Sequence, residues 1–241
     1  MAPRCRHVVV LDCDGTLTPK GKALLPVIDV RAVTPEATAS LQALRDKYLA
    51  RALSGELSPA QERDWLAGCL EIYVRLGLNL ARGCSAVAEL PIRPGVRDCL
   101  RELRRRHIPV AVVSYGVAEF IEAYLARHRC LHLVRQIYAA RLFWHQGGEQ
   151  PTGYDRRSLV VPSNKGWWSR RFARLYRVPP SRILAVGDSG SDRTLGGLRE
   201  NRFGLAKDET EAGVIAPFMG ETAIDDSFDP ATEWLLKKIE T

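Results

Sequence analysis

The sequence predicts an α/β protein in which helices cover both faces of a Rossmann-like parallel sheet, with an all-helical cap domain inserted after the first strand. From residue 93 onward, short β-branched runs alternate with amphipathic helical segments, and such alternation is typical of a parallel sheet covered on both faces. A first apolar run, at residues 8–11, lies far upstream of the others. The region between them shows only helical character. We therefore predict a core of residues 1–17 and 93–241 and a cap of residues 18–92.

Helix starts are the clearest signals in the predicted cap. Thr34 and Ser58 each place a capping hydroxyl directly before a proline, which is favoured at the first helical position. Ser58 also has capping-box spacing to Gln61, and Gly77 is a typical helix end. These signals predict two long helices.

Strands and helices of the core are predicted from apolar runs and their period. The predicted elements are helices near 95–107, 117–127 and 165–176, strands at 110–113, 134–139 and 183–186, and a hairpin or long loop at 142–163.

Composition narrows the possible functions. The formal net charge is +7, which suits an anionic partner. The densest basic run, residues 101–107, falls at the end of a predicted helix, and the arginines of 170–177 follow a solvated helix face. Cations at a helix C-terminus are favourable without any ligand. We therefore expect a phosphorylated small molecule as partner and argue against nucleic acid.

Cysteine spacing and hydropathy indicate in which cellular compartment the protein is expected. None of the six cysteines forms a CxxC pair or a zinc-finger pattern. This predicts reduced thiols. The apolar run before Asp12 is too short for a signal peptide, and no segment is long enough to span a membrane. We expect a cytoplasmic protein with no membrane partner, of unknown oligomeric state.

The first candidate motif is Asp12-Cys13-Asp14-Gly15-Thr16, at the end of the first strand. Residues i and i+2 of a strand point to the same side, so Asp12 and Asp14 can share a site while Cys13 points elsewhere. Two neighbouring carboxylates indicate an ionised nucleophile and an acid/base. The alternative is an ordinary turn at the end of a strand.

Two further motifs offer groups that bind phosphate. Ser114, Tyr115 and Gly116 follow the second strand, where a hydroxyl and backbone N–H groups can hold phosphate oxygens. Lys165 begins a helix, a position that does not favour a cation, and it offers a point charge for phosphate. The alternatives are an ordinary serine and a surface lysine.

A fourth motif adds Asp188 and Asp192 after the strand at 183–186. Because ligands bind beyond the carboxyl ends of parallel strands, the four motifs are expected to meet there. Two like charges about 4 Å apart repel by roughly 4 kcal/mol at an effective dielectric near 20. Four carboxylates with one lysine therefore require either a cation or a protonated carboxyl, and all-oxygen ligation favours Mg²⁺ over zinc. With a dianionic phosphate bound, one carboxyl should keep a proton, and Asp14 is the natural candidate.

These motifs, in this order, resemble the haloacid dehalogenase-like phosphatase superfamily over residues of about 1–17 and 93–205. The resemblance implies that Asp12 attacks phosphorus, and that Asp14 protonates the leaving oxygen and then activates water. It implies that Ser114 and Lys165 bind the phosphoryl group. The resemblance also implies a magnesium site, with these groups: the Asp12 side chain, the Asp14 backbone carbonyl, Asp188, and Asp192 in support.

An insert directly after the first motif resembles the helical C1-type cap of this superfamily. Two looser resemblances concern the substrate: cytosolic pyrimidine 5′-nucleotidases and the phosphoserine phosphatase group. The nucleotidases carry an acidic cap residue at the position where Gly68 falls here. Three cap aromatics can stack on a base or simply pack within the cap; they are Tyr48, Trp65 and Tyr73.

The function expected from the sequence is that of a Mg²⁺-dependent phosphomonoesterase. It would hydrolyse a small phosphorylated metabolite, with nucleoside 5′-monophosphates as one class, through an aspartyl-phosphate on Asp12. Phosphoserine and sugar phosphates are alternative substrates. Two other classes stay open: a phospho-ligand binding module without turnover, and a nucleic-acid end phosphatase, against which a closed cap argues.

Overall fold

A computed structural model describes residues 6–53, 56–145 and 148–241. Two sheets lie within these residues. Their strands are β1 (Val8–Leu11), β2 (Val110–Val117), β3 (Gln136–Ala140), β4 (Leu142–Trp144), β5 (Pro151–Tyr154), β6 (Ile183–Gly187), β7 (Arg202–Ala206) and β8 (Glu221–Ile224). The larger sheet has six strands in the order β3-β2-β1-β6-β7-β8, and every neighbouring pair is parallel. The predicted parallel α/β architecture is confirmed.

Helices cover both faces of this sheet. The α-helices of the described residues are α1 (Leu24–Arg31), α2 (Pro35–Leu53), α3 (Pro59–Leu76), α4 (Leu80–Ala88), α5 (Val96–Arg105), α6 (Ala118–Arg127), α7 (Lys165–Leu175), α8 (Glu209–Ile215) and α9 (Asp229–Glu240). Val9 and Leu11 belong to one apolar cluster, with side chains of α5, α6 and α9. Val8 and Val10 belong to a second cluster, with Phe172 of α7. Each face of β1 therefore packs against helices, as its continuous apolar run requires.

Four helices, α1 to α4, occupy the predicted cap between β1 and α5. The capping box at the start of α3 is present as expected: the Ser58 hydroxyl accepts the backbone N–H of Gln61, whose side chain accepts the backbone N–H of Ser58. Gly77 ends α3 in the left-handed conformation, at φ +86°, where glycine is least strained. The division into core and cap domains stays a prediction.

Two predicted strands differ from the observed ones. The second was predicted to end at residue 113, but β2 continues to Val117, with a register shift against β3 between Val113 and Val117. Ser114 therefore lies within a strand and not after it. The third was predicted at 134–139 and is β3, at Gln136–Ala140. The hairpin within 142–163 is confirmed as the antiparallel pair β4–β5.

Two observations concern the cysteine thiols and the apolar character of the helices. Cys13, Cys69, Cys84, Cys99 and Cys130 are all free thiols. Cys5 lies outside the described residues. Among the described helices, none combines the length and the apolar character needed to cross a membrane.

Candidate active site

The first and fourth motifs meet at one edge of the sheet because their strands are neighbours. β1 lies between β2 and β6 in the sheet. Asp12 follows β1, and its backbone N–H donates to the Val186 carbonyl of β6 at 3.0 Å. Asp188 follows β6 directly. Cys13 points into the apolar core and is completely buried, as the strand alternation predicted.

Lys165 lies between two of the predicted carboxylates. Its Nζ donates to Asp12 Oδ1 and to Asp192 Oδ1, each at 2.7 Å. All three residues are buried, and Lys165 is only 1% exposed. Burial lowers the pKa of the Lys165 ammonium, but the carboxylates of Asp12 and Asp192 outweigh burial and raise it above its usual value. Lys165 therefore stays charged.

The surroundings of Asp12 disfavour its ionised form. Burial raises the pKa of Asp12 well above its usual value, and the neighbouring carboxylate of Asp192 raises it further, while Lys165 opposes both effects. A bound cation would lower this pKa again, because it favours the ionised form. More positive charge in the site would therefore favour the ionised form of Asp12.

Asp14 connects the site to the predicted cap. Its Oδ1 accepts the backbone N–H of Leu24, the first residue of α1, at 2.9 Å. Burial raises the pKa of Asp14 to about 6, and this backbone hydrogen bond opposes the rise. A carboxyl group with a pKa in this range can both donate and accept a proton near neutral pH.

Lys20 and Asp192 both hold Asp188. Lys20 Nζ lies 2.7 Å from Asp188 Oδ2 and 3.0 Å from Glu211 Oε1. Asp192 Oδ2 accepts the backbone N–H groups of Asp188 and Ser189 at 2.9 and 3.3 Å, so Asp192 fixes the loop. Burial raises the pKa of Asp188 to about 6, against the lowering effect of Lys20.

Three carboxylates are close enough to share a cation. One oxygen each from Asp12, Asp188 and Asp192 lies within 4.8 Å of the others. The donors are all oxygen, which is the ligand set that Mg²⁺ prefers. The ammonium of Lys20 already lies against Asp188, which shows that this carboxylate accommodates positive charge. The residues present therefore fit a magnesium ion.

Arg93 forms hydrogen bonds to the backbone of the first motif. It is a buried arginine, 1% exposed, whose guanidinium donates to the backbone carbonyls of Gly15, Thr16 and Asp225. Sequence reasoning did not assign functions to Arg93 or Lys20. An arginine before a proline and a lysine after a motif are both too common to be informative on their own.

Three cavities adjoin these residues. The smallest, about 170 Å³, is lined by Asp12, Asp14, Asp188 and the predicted phosphate-binding residues Ser114, Tyr115 and Lys165. Gly116 does not line it. A cavity of about 430 Å³ lies between α3, the Asp188 loop and α8, and one of about 190 Å³ lies between α1, α2 and α3. Tyr115 lines all three cavities.

The predicted cap aromatics have different surroundings. Trp65 lines both larger cavities, and its ring lies 5.7 Å from that of Tyr115. Tyr48 is buried and stacks on Trp65 at 5.9 Å between ring centroids. Tyr73 lines the 190 Å³ cavity and donates its hydroxyl to Asp29, which also pairs with Arg45. Asp29 and Arg45 carried no recognisable signal in the sequence.

Glu62 joins the predicted cap to the core. This α3 residue is 2% exposed. Its carboxylate accepts the backbone N–H of Ser163 at 2.8 Å and pairs with Arg193 at 2.6 Å. α3 is thereby held over the loops on either side of the site.

An acidic cluster with a buried lysine thus lies at the carboxyl edge of a parallel sheet, which is where α/β enzymes bind their ligands. The family profile of haloacid dehalogenase-like hydrolases matches residues 7–195. The chain belongs to this family.

Curated relatives include two phosphoserine phosphatases. The one from Streptomyces coelicolor is 27% identical over 229 residues, covering 90% of this chain and 49% of the relative. The one from Mycobacterium tuberculosis is 29% identical over 196 residues, covering 80% and 42%. The chain thus spans about half the length of these relatives.

Solved structures share the fold. A cytosolic 5′-nucleotidase IIIB bound to cytidine matches with a TM-score of 0.75 at 20% identity, covering 98% of this chain and 86% of that one. A phospho-aspartyl intermediate analogue of phosphoserine phosphatase matches with a TM-score of 0.66 at 18% identity, covering 95% and 99%.

Proposed function

We propose that this protein is a Mg²⁺-dependent phosphomonoesterase that works through an aspartyl-phosphate on Asp12. The observation that carries the proposal is the buried group of Asp12, Lys165 and Asp192, in which Lys165 Nζ lies 2.7 Å from each carboxylate. Asp12 and Lys165 both line the 170 Å³ cavity. A phosphoryl group in this cavity would meet a nucleophile and a fixed positive charge together.

In the first step, a carboxylate oxygen of Asp12 bonds to phosphorus while the bond from phosphorus to the ester oxygen breaks. The departing alkoxide takes the proton of Asp14, whose pKa of about 6 allows it to be protonated at the start of the reaction. The Ser114 hydroxyl, the neighbouring backbone N–H groups and Lys165 hold the phosphoryl oxygens.

In the second step, water attacks phosphorus and the bond to Asp12 breaks. Asp14, now ionised, accepts the proton of that water, and inorganic phosphate leaves. Glu62 holds α3 over the site through Ser163 and Arg193, which helps to exclude other water molecules.

Magnesium would be held by the side chains of Asp12 and Asp188 and by the backbone carbonyl of Asp14, with Asp192 fixing the loop of Asp188. When bound, the ion neutralises carboxylates and phosphoryl oxygens in a buried site. The raised pKa values of Asp12 and Asp188 support the need for such charge.

Hydrolysis of p-nitrophenyl phosphate tests the mechanism. We expect Mg²⁺-dependent turnover that Asp12→Asn abolishes, with Asp64→Asn, an exposed residue of α3, as the matched control. Unchanged turnover in Asp12→Asn would contradict the mechanism. Saturable phosphate binding without any turnover in the wild type would instead favour a binding module.

A nucleoside 5′-monophosphate is the substrate class that the larger cavity favours. The cavity of about 430 Å³ adjoins Asp188 and carries aromatic rings of Trp65 and Tyr115 together with aliphatic side chains of α8. A planar base can be buried among such side chains. Trp65→Ala should then raise KM for nucleotides and leave the hydrolysis of small phosphate esters unchanged.

Phosphoserine is a second candidate, which the smaller cavity favours. The cavity of about 190 Å³ adjoins Asp14 and contains Asp29 and Arg45, which pair at 2.6 Å. A carboxylate and a guanidinium can bind the ammonium and carboxylate ends of an amino acid. A panel of nucleoside monophosphates, phosphoserine and sugar phosphates separates the candidates, with Arg45→Gln expected to affect phosphoserine alone.

A further inference from the structure

A further cleft, of about 470 Å³ and distinct from the three cavities described above, lies beside the segment that carries Lys165. Ser163, Trp167 and Trp168 contribute to its lining. Four arginines also line it: Arg63 of α3, Arg156 and Arg157 of the helical turn after β5, and Arg170 of α7. The cleft thus brings together arginines from the predicted cap and from two parts of the core.

The positive charge of this cleft is uncompensated. Within the described ranges, none of the four guanidinium groups forms an ion pair, and no Asp or Glu is among the lining residues. Asp155 accepts the backbone N–H of Arg157, and Glu62 bonds to Ser163 and Arg193. Protein surfaces normally intersperse charges of both signs, so four unpaired arginines around one concavity indicate a site for a multiply charged anion.

Two polar atoms of the cleft also lack hydrogen-bond partners among the described residues. Ser163 Oγ and Trp168 Nε1 are buried without a hydrogen bond, among the described atoms. Unsatisfied buried donors of this kind are uncommon in folded proteins. The ring of Trp167 is 45% exposed beside them. The cleft therefore combines unused hydrogen-bond donors, an exposed aromatic ring and a net positive charge.

We propose that this cleft binds the triphosphate group of a small ligand. It would be a second anion site, separate from the catalytic cavity, that is, the 170 Å³ cavity lined by Asp12. Guanidinium groups pair with phosphate oxygens in a bidentate fork, and the four arginines match the charge of a triphosphate. The volume lies within the usual range for small-ligand sites. A concavity between α3 and the core suits a compact ligand better than an extended polymer.

Because the arginines belong to different elements, a bound ligand would connect those elements. Arg63 belongs to α3, whereas Arg156 and Arg170 belong to the core. A triphosphate bound by both groups joins α3 to the core. It stabilises the arrangement in which α3 lies over the catalytic cavity, because a ligand shifts an equilibrium toward the state that it binds more tightly.

Calorimetric titration with inorganic triphosphate, in EDTA and without Mg²⁺, tests the site. Without metal, the carboxylates of the catalytic cavity repel the anion, so the cleft is measured alone. We expect saturable binding with one triphosphate per chain. In the double variant Arg156→Gln/Arg157→Gln, binding should be weaker by at least about tenfold, as expected for lost charge-assisted hydrogen bonds.

The matched control is Arg174→Gln/Arg177→Gln, which removes the same charge from exposed positions outside the cleft. It should keep the wild-type affinity. Equal weakening in both double variants, or no saturable binding at millimolar triphosphate, would overturn the proposal. So would a single-stranded oligonucleotide that binds more tightly than triphosphate and is lost in the Arg156/Arg157 variant. Turnover of p-nitrophenyl phosphate without triphosphate should be the same in all three proteins, so the proposed function is tested separately.

Discussion

The backbone of Gly15 lies against the carboxylate of Asp188. A β-carbon on Gly15 would come within 2.1 Å of Asp188 Oδ2, and Gly15 has φ +74°. A side chain on residue 15 would therefore have to displace the Asp188 carboxylate. This contact brings the loop of the proposed nucleophile next to a proposed metal ligand.

Replacing Gly15 with alanine should move Asp188. Gly21 provides a control with nearly the same backbone, at φ +73°, but with nothing within 4 Å of a new β-carbon. Both Gly15→Ala and Gly21→Ala should lose about 1 kcal/mol of stability from the left-handed conformation. Only Gly15→Ala should raise the Mg²⁺ concentration needed for half-maximal phosphatase activity. A similar metal requirement in both variants would show that the contact is not functionally important.

Lys165→Met should be both inactive and unstable. It leaves the buried carboxylates of Asp12 and Asp192 without their counter-ion, and breaking a buried pair in this way costs about 3–5 kcal/mol. Urea denaturation measures the loss. Lys207→Met, at an exposed lysine, is the control and should change stability by less than about 0.5 kcal/mol. A loss as small as that of the control would mean that Lys165 does not neutralise the cluster.

The metal-free protein should become less stable as the pH rises. The unfolded chain releases the Asp188 proton near pH 3.8, whereas the folded chain keeps it to about pH 6. The folded state therefore binds more protons between these values, and stability falls across this window and levels off above it. For Asp188 alone, the fall is about 3 kcal/mol at most.

Denaturation at pH 4.5 and pH 7.5 in EDTA measures this effect. The difference between the two pH values should shrink in Asp188→Asn and persist in the exposed-site control Asp64→Asn. Saturating Mg²⁺ should also shrink it in the wild type, because the ion binds the ionised carboxylates. An equal difference in all three proteins would place the titrating group elsewhere.

Arg93→Met should disturb the first motif without touching any group proposed to react. The substitution removes the donors to the carbonyls of Gly15, Thr16 and Asp225. An unsatisfied buried polar group costs about 1–3 kcal/mol, so we expect a loss of about 3 kcal/mol or more, together with lower turnover. Arg97→Met, at an exposed arginine four residues along the chain, should be close to wild type. Wild-type turnover in Arg93→Met would show that the motif holds its own geometry.

Several residues of this site could be predicted because short sequence patterns indicate where strands end and helices begin. Asp12 and Asp188 each follow a completely buried strand, and parallel strands bring their carboxyl ends to one edge. Lys165 begins a helix, where a cation is unfavourable without another reason. Its two carboxylate partners supply that reason. In these cases the local sequence already contained the relevant physical constraint.

Other parts of the site depend on contacts between distant segments. Lys20 reaches Asp188 and Glu211, and Arg93 reaches Asp225, but no local pattern indicates either partner. The pairing of Asp29 with Arg45 depends on how α1 and α2 pack. The end of β2 was also misplaced, because the polar residues after Val113 indicated a turn although the strand continues past a register shift.

Trp65 is the one side chain of α3 that borders both the 430 Å³ and the 190 Å³ cavities. A smaller residue there would merge two binding spaces, and a differently shaped one would trade volume between them. The carboxylates and Lys165 lie on other elements and would be unaffected. A single substitution at Trp65 can therefore change the space open to a substrate without altering any group proposed to react.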